Sequence, residues 1–516
     1  MHQVRNDIHP QIYLQQHTNT AHRRLARMTG TREPTAEEMS AAIRKRMVVV
    51  ENGVGVFRNK QRQPRKHNVG GLDPEPIRIR HAEDAYGGGG GGENGGVAVV
   101  TLTTTVTPTP TPTPSGTTKT VTETVTATRS PCAPRPSSAY SPPPTEGGGT
   151  NARVGNNNNG FSENTLKVVM SGEITSSTVT PTAPNSLRLD DQANDVGYIA
   201  TFQIGTPPRD FRFLMDSGSA DMWVPSEECE SLTGGKCGNH TTLGPKSSSS
   251  FKSLGRTFQS SYGTSRIAGD VISDDVVIAG LKLPGHTFGV VTAEASAVTG
   301  NNVDGLIGLA RSIRSDQKTD TPPESLAKAG LIQAPITSYK ISRVADGKND
   351  GEITFGGIDE TKIDRSTIVT MNSVNPDGFW EVPFTMSIGG KDLGLNRRTA
   401  ILDTGAAVIM APSSDAEAIH AQIPGSKPDG QGGFTLPCTT DAHVALTIGG
   451  KSFSIDSRDL LFAPVDPNNT KGDCISGIVT GRFAGPQAWL VGDVFLKNVY
   501  FSHDASKGTV TLAKLK

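Results

Sequence analysis

Short apolar segments separated by turn-forming residues characterise the chain from about residue 185 onwards. Apolar runs of roughly four to eight residues at this spacing are typical of β-strands, so we predict a predominantly β structure there. Only three segments have helical character, at residues 323–329, 414–422 and 492–498. The predicted strand segments are residues 197–205, 211–218, 275–283, 351–357, 443–455, 489–496 and 508–515.

The residues before this β-rich part have a different pattern. Residues 1–86 contain short helix-like pieces, around 23–27 and 37–46, but none keeps an amphipathic period over three turns. Residues 87–185 contain six consecutive Gly and an alternating Thr-Pro run at 107–114. Such a segment buries too little apolar surface to offset its chain entropy, so we predict a disordered linker. The Thr-Pro run is also typical of O-glycosylated stalks.

Charge is distributed unevenly along the chain, although the formal net charge is only −1. Residues 1–86 hold 15 Lys/Arg against 9 Asp/Glu, a net of +6, and the remainder holds 35 against 42, a net of −7. A near-neutral whole argues against a general binder of nucleic acid or anionic membranes. No apolar run is long enough for a transmembrane helix. Opposite charges would hold the front segment against the body until carboxylates are protonated.

An internal repeat lies within the β-rich part. Residues 213–226 read FLMDSGSADMWVPS, and residues 400–413 read AILDTGAAVIMAPS. Two apolar residues and a Gly follow each copy, with Gly308 lying 92 residues after the first Asp and Gly492 lying 89 residues after the second. One copy alone would be interpreted as a β-turn. The pair, with matching flanks, predicts two similar lobes that carry one carboxylate each.

Asp216 and Asp403 are therefore candidates for one site between the lobes, where ligands often bind. Two carboxylates held close together tend to retain one proton. The ionised member then accepts a proton from water while the protonated member polarises a carbonyl oxygen. This arrangement predicts hydration of an amide without metal or cofactor. Tight turns and hydroxyl bonds across the interface would be supplied by Ser217, Gly218, Thr404 and Gly405.

These residues resemble the pepsin-like aspartic endopeptidases, and the resemblance covers about residues 185–516. The segment 261–270, SYGTSRIAGD, resembles the flap hairpin of that family. The resemblance implies that Asp216 and Asp403 are catalytic. It implies flap and substrate-binding roles for Tyr262, Gly263, Thr264 and Trp223.

The resemblance, strongest to secreted fungal members, also implies a fold class. We expect an all-β, bilobal, pepsin-like aspartic protease fold with two pseudo-symmetric lobes, few short helices and a disordered N-terminal extension. The expected organisation is a basic propeptide-like segment at 1–86, a linker at 87–185, an N-terminal catalytic lobe at 186–358 and a C-terminal catalytic lobe at 359–516.

Some positions depart from the family pattern. The first motif has Ser217 where Thr is commoner, which keeps the hydroxyl. The second motif continues with Ala406, where the family usually has Thr or Ser, whereas Ser219 keeps a hydroxyl in the first lobe. Losing a hydrogen bond to the charged form raises a carboxyl pKa, so we expect a less acidic pH optimum. Arg266 in the flap either favours acidic substrate side chains or is a solvated loop residue.

The family resemblance also implies two disulfides, Cys229–Cys237 and Cys438–Cys474. A zinc site is the alternative for these cysteines, and it is disfavoured because the chain contains no CxxC motif or nearby Cys/His cluster. Cys132, in the predicted linker, has no predicted partner.

The expected compartment is the cell exterior or the vacuole. Asn239 and Asn468 begin glycosylation sequons, which together with disulfides indicate the secretory route. Residues 1–30 nevertheless lack the apolar core of a signal peptide.

The leading functional hypothesis is a monomeric aspartic endopeptidase that acts on polypeptides at acid pH, needs no cofactor and is made as a zymogen. Its own basic front segment would be the intramolecular inhibitor, and residues 44–46 are either a dibasic processing site or part of a basic helix. The rival hypothesis is a catalytically inactive pepsin-like binding or inhibitor module. A Thr/Pro-rich wall-associated protein is a third hypothesis, which rests on the linker alone.

Overall fold

The structure is a computed structural model, and its described residues belong to one compact unit formed by Met1–Val56 and Thr150–Lys516. The second unit, Phe57–Gly149, lies outside the described residues, as do Cys132 and most of the predicted linker. The described ranges are 9–51, 160–171, 173–193, 195–232, 234–262, 265–294, 303–481 and 487–516.

Six α-helices are found in these ranges. The last three confirm the three helical segments predicted in the β-rich part, because each begins within one or two residues of its predicted start. The helices are α1 (Pro10–Met28), α2 (Ala36–Glu51), α3 (Glu163–Ser171), α4 (Pro322–Lys328), α5 (Ser413–His420) and α6 (Asp493–Leu496).

A nine-stranded sheet forms the N-terminal lobe. Its strands are β1 (Ile174–Thr175), β3 (Asp190–Gln192), β4 (Tyr198–Ile204), β5 (Arg209–Asp216), β6 (Met222–Ser231), β7 (Lys252–Tyr262), β8 (Ser265–Ile278), β9 (Leu281–Glu294) and β10 (Gly305–Gly308). Their order across the sheet is β1-β3-β4-β5-β10-β6-β9-β8-β7. In the second half of β4 and in β5, buried residues such as Phe202, Phe211 and Phe213 alternate with more exposed ones, as expected for strands with one face on the core.

Two further sheets form the C-terminal lobe. The larger has the order β21-β20-β14-β16-β25-β17-β24, with β15 paired to β14, and the smaller has the order β18-β19-β23-β22. Their strands are β14 (Glu381–Ile388), β15 (Lys391–Asp392), β16 (Arg398–Leu402), β17 (Ile409–Pro412), β18 (Lys427–Pro428), β19 (Phe434–Pro437), β20 (Val444–Ile448), β21 (Lys451–Ile455), β22 (Leu461–Pro464), β23 (Asp473–Ser476), β24 (Ile478–Gly481) and β25 (Ala488–Val491).

A six-stranded sheet collects strands from both halves of the repeat. Its order is β13-β27-β26-β11-β12-β2. The strands are β2 (Ser186–Arg188), β11 (Ile336–Lys340), β12 (Glu352–Phe355), β13 (Ile363–Asn372), β26 (Val499–Asp504) and β27 (Thr509–Leu515). With this sheet, the prediction of an all-β, two-lobed fold with few short helices is confirmed.

The two lobes repeat one strand arrangement around the Asp motifs. In the first, β10 lies parallel to β5 and antiparallel to β6, and its register places Gly308 beside Asp216. In the second, β25 lies parallel to β16 and antiparallel to β17, and its register places Val491 beside Leu402. The apolar-apolar-Gly segments of the sequence repeat are therefore the strands that flank each Asp loop.

Helix α1 is longer than the short pieces expected from the sequence, with 19 residues. Leu14 and Leu25 are fully buried, yet the polar residues Gln15, Asn19 and Arg24 are buried with them. Because polar residues interrupt the buried face, the sequence of α1 shows no clear apolar period. The helix is therefore stabilised by its contacts with the rest of the fold.

Part of the predicted linker is folded. Helix α3 and strand β1 both lie between residues 160 and 185, and β1 pairs with β3. Phe161 is buried against the main core. No helix among the described residues is long and apolar enough to cross a membrane.

Candidate active site

Asp216 and Asp403 occupy equivalent positions at the centre of the fold. Asp216 is the last residue of β5, and Asp403 directly follows β16. Both side chains are fully buried. The amide of Gly218 donates to Asp216 Oδ1 and that of Gly405 donates to Asp403 Oδ1, each over 2.9 Å. The sequence repeat is thus also a repeat of hydrogen bonds to the two carboxylates.

Two hydroxyls connect the Asp loops. The Ser217 amide donates to Thr404 Oγ1 and the Thr404 amide donates to Ser217 Oγ, both over 3.0 Å. Each hydroxyl also donates to a strand carbonyl of the opposite lobe, Ser217 to Leu402 over 3.0 Å and Thr404 to Met215 over 2.8 Å. These four bonds fix one loop relative to the other.

Close approach across this interface requires glycine. A Cβ on Gly218 would lie 2.4 Å from the Asp403 carboxylate, and a Cβ on Gly405 would lie 2.4 Å from Asp216 Oδ1. Real Cβ atoms do not approach so closely. Any larger residue at either position would push the two carboxylates apart.

Hydroxyl support for the two carboxylates is unequal. Ser219 Oγ donates to Asp216 Oδ2 over 2.6 Å. Ala406, at the equivalent position three residues after Asp403, has no donor to offer. Asp403 therefore depends on the Gly405 amide and on the cation described next.

Arg24 of α1 lies between the two carboxylates. Its Nη1 is 2.8 Å from Asp216 Oδ1 and 2.8 Å from both oxygens of Asp403, and its Nη2 is 2.5 Å from Asp216 Oδ2. The Arg24 side chain is only 7% exposed. A guanidinium in this position compensates the negative charge of the pair and occupies the space beside it.

Burial and the neighbouring charges shift the pKa of Asp216. Burial raises the pKa of Asp216 to about 6, the Arg24 cation lowers it, and the neighbouring Asp403 raises it again. Asp216 therefore takes up a proton at a pH well above that of an ordinary carboxyl group.

Asp493 is a further buried carboxyl near the pair that the sequence analysis did not single out. It begins α6, directly after β25, and neither of its carboxyl oxygens has a hydrogen-bond partner among the described residues. Burial raises its pKa well above the usual value, although the Lys497 cation opposes this shift. The raised pKa favours the neutral form of Asp493.

The front segment has a second charged contact with the body. Arg46 of α2 donates from Nη1 to Asp429 Oδ2 over 2.6 Å, and both side chains are almost fully buried. Arg46 Nε also donates to Gln15 of α1, which ties the two helices together. Arg46 is therefore helical and buried in this conformation, whereas Arg44 and Lys45 of the same helix are exposed.

Residues 197–515 match the eukaryotic aspartyl protease family. The chain belongs to the pepsin-like aspartic endopeptidase family. It is similar to three fungal proteins over most of the β-rich part. They are the probable aspartic-type endopeptidase CTSD of Trichophyton verrucosum (34% identical over 338 residues, 65% of this chain and 64% of that protein), the aspartic-type endopeptidase ctsD of Aspergillus fumigatus (33% over 344 residues, 66% and 69%) and rhizopuspepsin-1 of Rhizopus niveus (34% over 328 residues, 62% and 80%). The match thus spans less than two thirds of the length of the Trichophyton protein.

The flap residues of this pepsin-like chain are described only in part. Trp223 is buried in β6 at 4% exposure, and Tyr262 is the last residue of β7. Gly263 and Thr264 lie outside the described residues, and so does the side chain of Tyr262. Their predicted role in substrate binding stays a prediction.

Both predicted disulfides are present. Cys229–Cys237 has a Cα separation of 5.5 Å and Cys438–Cys474 one of 4.9 Å, both normal for a disulfide. Glu294 lies close to the Cys229–Cys237 pair, but oxidised sulfurs are poor metal ligands, so this group is no zinc site.

The two sequon residues, Asn239 and Asn468, are exposed. Each is therefore accessible, and their glycosylation stays a prediction.

Thr404→Val is expected to destabilise the fold by removing the hydroxyl that connects the two Asp loops. The change leaves the Ser217 amide and the Met215 carbonyl without their partner, which costs roughly 1–3 kcal/mol. Urea denaturation of the full chain measures it. Thr511→Val is the matched control, because its hydroxyl pairs with Thr370 at an exposed position and should matter by less than about 0.5 kcal/mol. Equal effects of the two variants would show that the cross-interface bonds do not stabilise the protein.

Proposed function

We propose that this protein is an aspartic endopeptidase made as a zymogen, active at acid pH on extended polypeptides. The observation that supports it best is the pair of buried carboxylates on symmetric, cross-bonded loops with Arg24 of the chain's own front segment between them. The names of the fungal relatives agree with this proposal.

The reaction follows from the geometry of the pair. Two buried carboxylates that approach one guanidinium so closely cannot both ionise easily once that cation has left, so the pair retains one proton. The ionised member accepts a proton from a water molecule, which attacks the peptide carbonyl, while the protonated member donates to the carbonyl oxygen. The proton belongs to the pair, and neither Asp216 nor Asp403 is assigned it.

Acid pH would release the front segment. Arg24 lowers the pKa of Asp216, so docking of α1 favours the ionised carboxylate. The contribution of this ion pair to docking is therefore fully present above the pKa that Asp216 has when α1 is undocked. It is lost as the pH falls through about 6, the pKa of Asp216 when α1 is docked.

An inactive binding module is the weaker alternative. Both Asp residues, both following hydroxyls and both glycines of the loops are intact and hydrogen-bonded. A binding module would have no need for a fully buried pair of carboxylates. We further propose a monomer that is secreted or vacuolar, and one similar protein is named a probable vacuolar protease A, from Trichophyton verrucosum (32% identical over 336 residues).

Asp216→Asn and Asp403→Asn should each abolish peptidase activity while leaving the fold intact. Each variant removes one of the two proton-transfer groups, with an expected loss on the order of 10³-fold or more. The assay is pepstatin-sensitive cleavage of a polypeptide by the full chain between pH 3 and 6. Asp441→Asn, at an exposed carboxyl group without a hydrogen bond among the described residues, is the control. Normal turnover in Asp216→Asn or in Asp403→Asn would refute the catalytic role proposed for these two residues.

Arg24→Met should make the zymogen activate at a higher pH, by about one unit, because the docked helix no longer compensates the charge of the pair. Loss of full-length chain on gels and appearance of peptidase activity, followed together against pH, measure this shift. Arg32→Met is the control, since Arg32 is 71% exposed and pairs with Glu38 of the front segment itself. Identical activation curves for wild type and Arg24→Met would contradict inhibition through Arg24.

Ala406→Thr, or the smaller Ala406→Ser, should move the pH profile of the mature activity toward acid. The new hydroxyl would donate to Asp403 as Ser219 donates to Asp216, and this stabilises the ionised carboxylate. A charge-assisted bond of roughly 1.5 kcal/mol corresponds to a shift of about one pH unit. Ala421→Ser, at an exposed position, is the control. An unchanged profile in both Ala406 variants would show that the missing hydroxyl does not set the pH range.

A further inference from the structure

A cavity of about 40 Å³ lies beside the catalytic pair, between α1 and the N-terminal lobe. The front segment closes it with Arg27 and Met28. The N-terminal lobe contributes Ser219, Ser261, Arg314 and Asp316, and Phe379 comes from the C-terminal lobe, just before β14. Removal of α1 would open this space to a bound polypeptide directly next to the reacting atoms.

Arg314 is held in place at the wall of this cavity. It is the last residue of a short 3₁₀ helix, Ser312–Arg314, and its side chain is half-buried. Its guanidinium carbon lies 5.1 Å from the centre of the Phe379 ring, a cation–π distance. A Cβ on Gly378 would lie 3.3 Å from Arg314 Cγ, so the aliphatic stem packs closely against the backbone there. The position of the charged group is thus set before any substrate binds.

Two carboxylates line the cavity, and each accepts a hydrogen bond from a serine hydroxyl. Asp316 accepts a hydrogen bond from Ser260 Oγ over 2.8 Å. Asp221 is buried and accepts from Ser315 Oγ over 2.7 Å.

The front segment lines the cavity with Arg24, Arg27 and Met28, and its Glu33 pairs with Arg23 and Arg27. Among the described residues, no side-chain hydrogen bond or ion pair involves the Arg314 guanidinium. A half-buried guanidinium with its planar set of N–H donors unused is suited to bind a carboxylate through two parallel bonds.

A second arginine side chain lies near the other edge of the cavity. Arg266 of β8 lies opposite Ser261 in the register of β7 and β8, and its side chain is exposed. Its cation is close enough to lower the pKa of Arg23 in the docked front segment. Once that segment has left, the body residues near this side of the cleft include two arginines, Arg266 and Arg314.

We propose that Arg314 makes this cavity a subsite for an acidic side chain, so that the enzyme prefers substrates with Asp or Glu at the one position that reaches it. This inference rests on the proposed peptidase function and adds a substrate class to it. Between the two interpretations of Arg266 from the sequence, the same argument favours a supporting role in attracting such substrates.

The test uses peptides that are identical except for Glu or Gln, placed in turn at each position flanking the cleaved bond. The full chain, after activation at acid pH, is assayed for kcat/KM at pH 5.5 and at pH 3. At one position the Glu peptide should be cleaved roughly tenfold faster than the Gln peptide at pH 5.5, the size expected for one charge-assisted ion pair. The ratio should approach one at pH 3, where Glu is mostly protonated.

Arg314→Gln should bring the kcat/KM ratio of the Glu peptide to the Gln peptide to about one. Its kcat/KM for the Gln peptide should stay within about twofold of wild type. Arg314→Lys should restore part of it, because a cation without the planar fork makes a weaker pair with a carboxylate. Arg188→Gln, an exposed arginine in β2, is the matched control and should change neither value.

Cleavage of both peptides with no Glu preference at any position, or a preference that survives in Arg314→Gln, would overturn the subsite and leave the peptidase function standing. Failure of the activated chain to cleave any peptide would overturn the proposed function, and the subsite with it.

Discussion

Two carboxylates, Asp216 and Asp403, lie fully buried against each other across the contact between the lobes, and the surrounding structure is built around that constraint. Like charges in a buried site are unfavourable unless a proton or a cation compensates them. The equivalent strands β10 and β25 hold each Asp loop, and the Ser217 and Thr404 hydroxyls join the loops. Glycines permit the approach, since a Cβ on Gly218 would collide with Asp403.

The front segment supplies the compensating charge in this conformation. Arg24 contacts all four carboxylate oxygens, and Arg46 pairs with Asp429 further away. Residues 1–86 carry a net charge of +6 and the remainder carries −7. Individual ion pairs form between these two parts of the chain. In the zymogen mechanism that we propose, protonation of the Asp216–Asp403 pair weakens its contact with Arg24, so acid favours release of the front segment.

The repeat produces two lobes with the same backbone but different side chains around the cleft. Ser219 supports Asp216, whereas Ala406 gives Asp403 no hydroxyl, so the pair is symmetric in position and asymmetric in hydrogen bonding. Asp493, whose pKa is raised by burial, belongs to the second lobe, while Arg314 and Arg266 belong to the first. Backbone symmetry thus fixes where the two carboxylates lie, and we propose that the side-chain differences between the lobes set the pH range and the substrate preference.

The sequence by itself determined the β-rich fold, the repeat, the positions of Asp216 and Asp403 and, through the family resemblance, the disulfide pairs. These features depend on local patterns, namely period-two strands and short motifs, that each half of the chain carries independently. Only the tertiary structure decided that α1 is one long helix and that Arg24 lies between Asp216 and Asp403. The buried face of α1 is too polar to show a hydrophobic period, and Arg24 and Asp216 are 192 residues apart. A contact of that kind is specified by the shape and charge of a cleft that exists only once both lobes have folded.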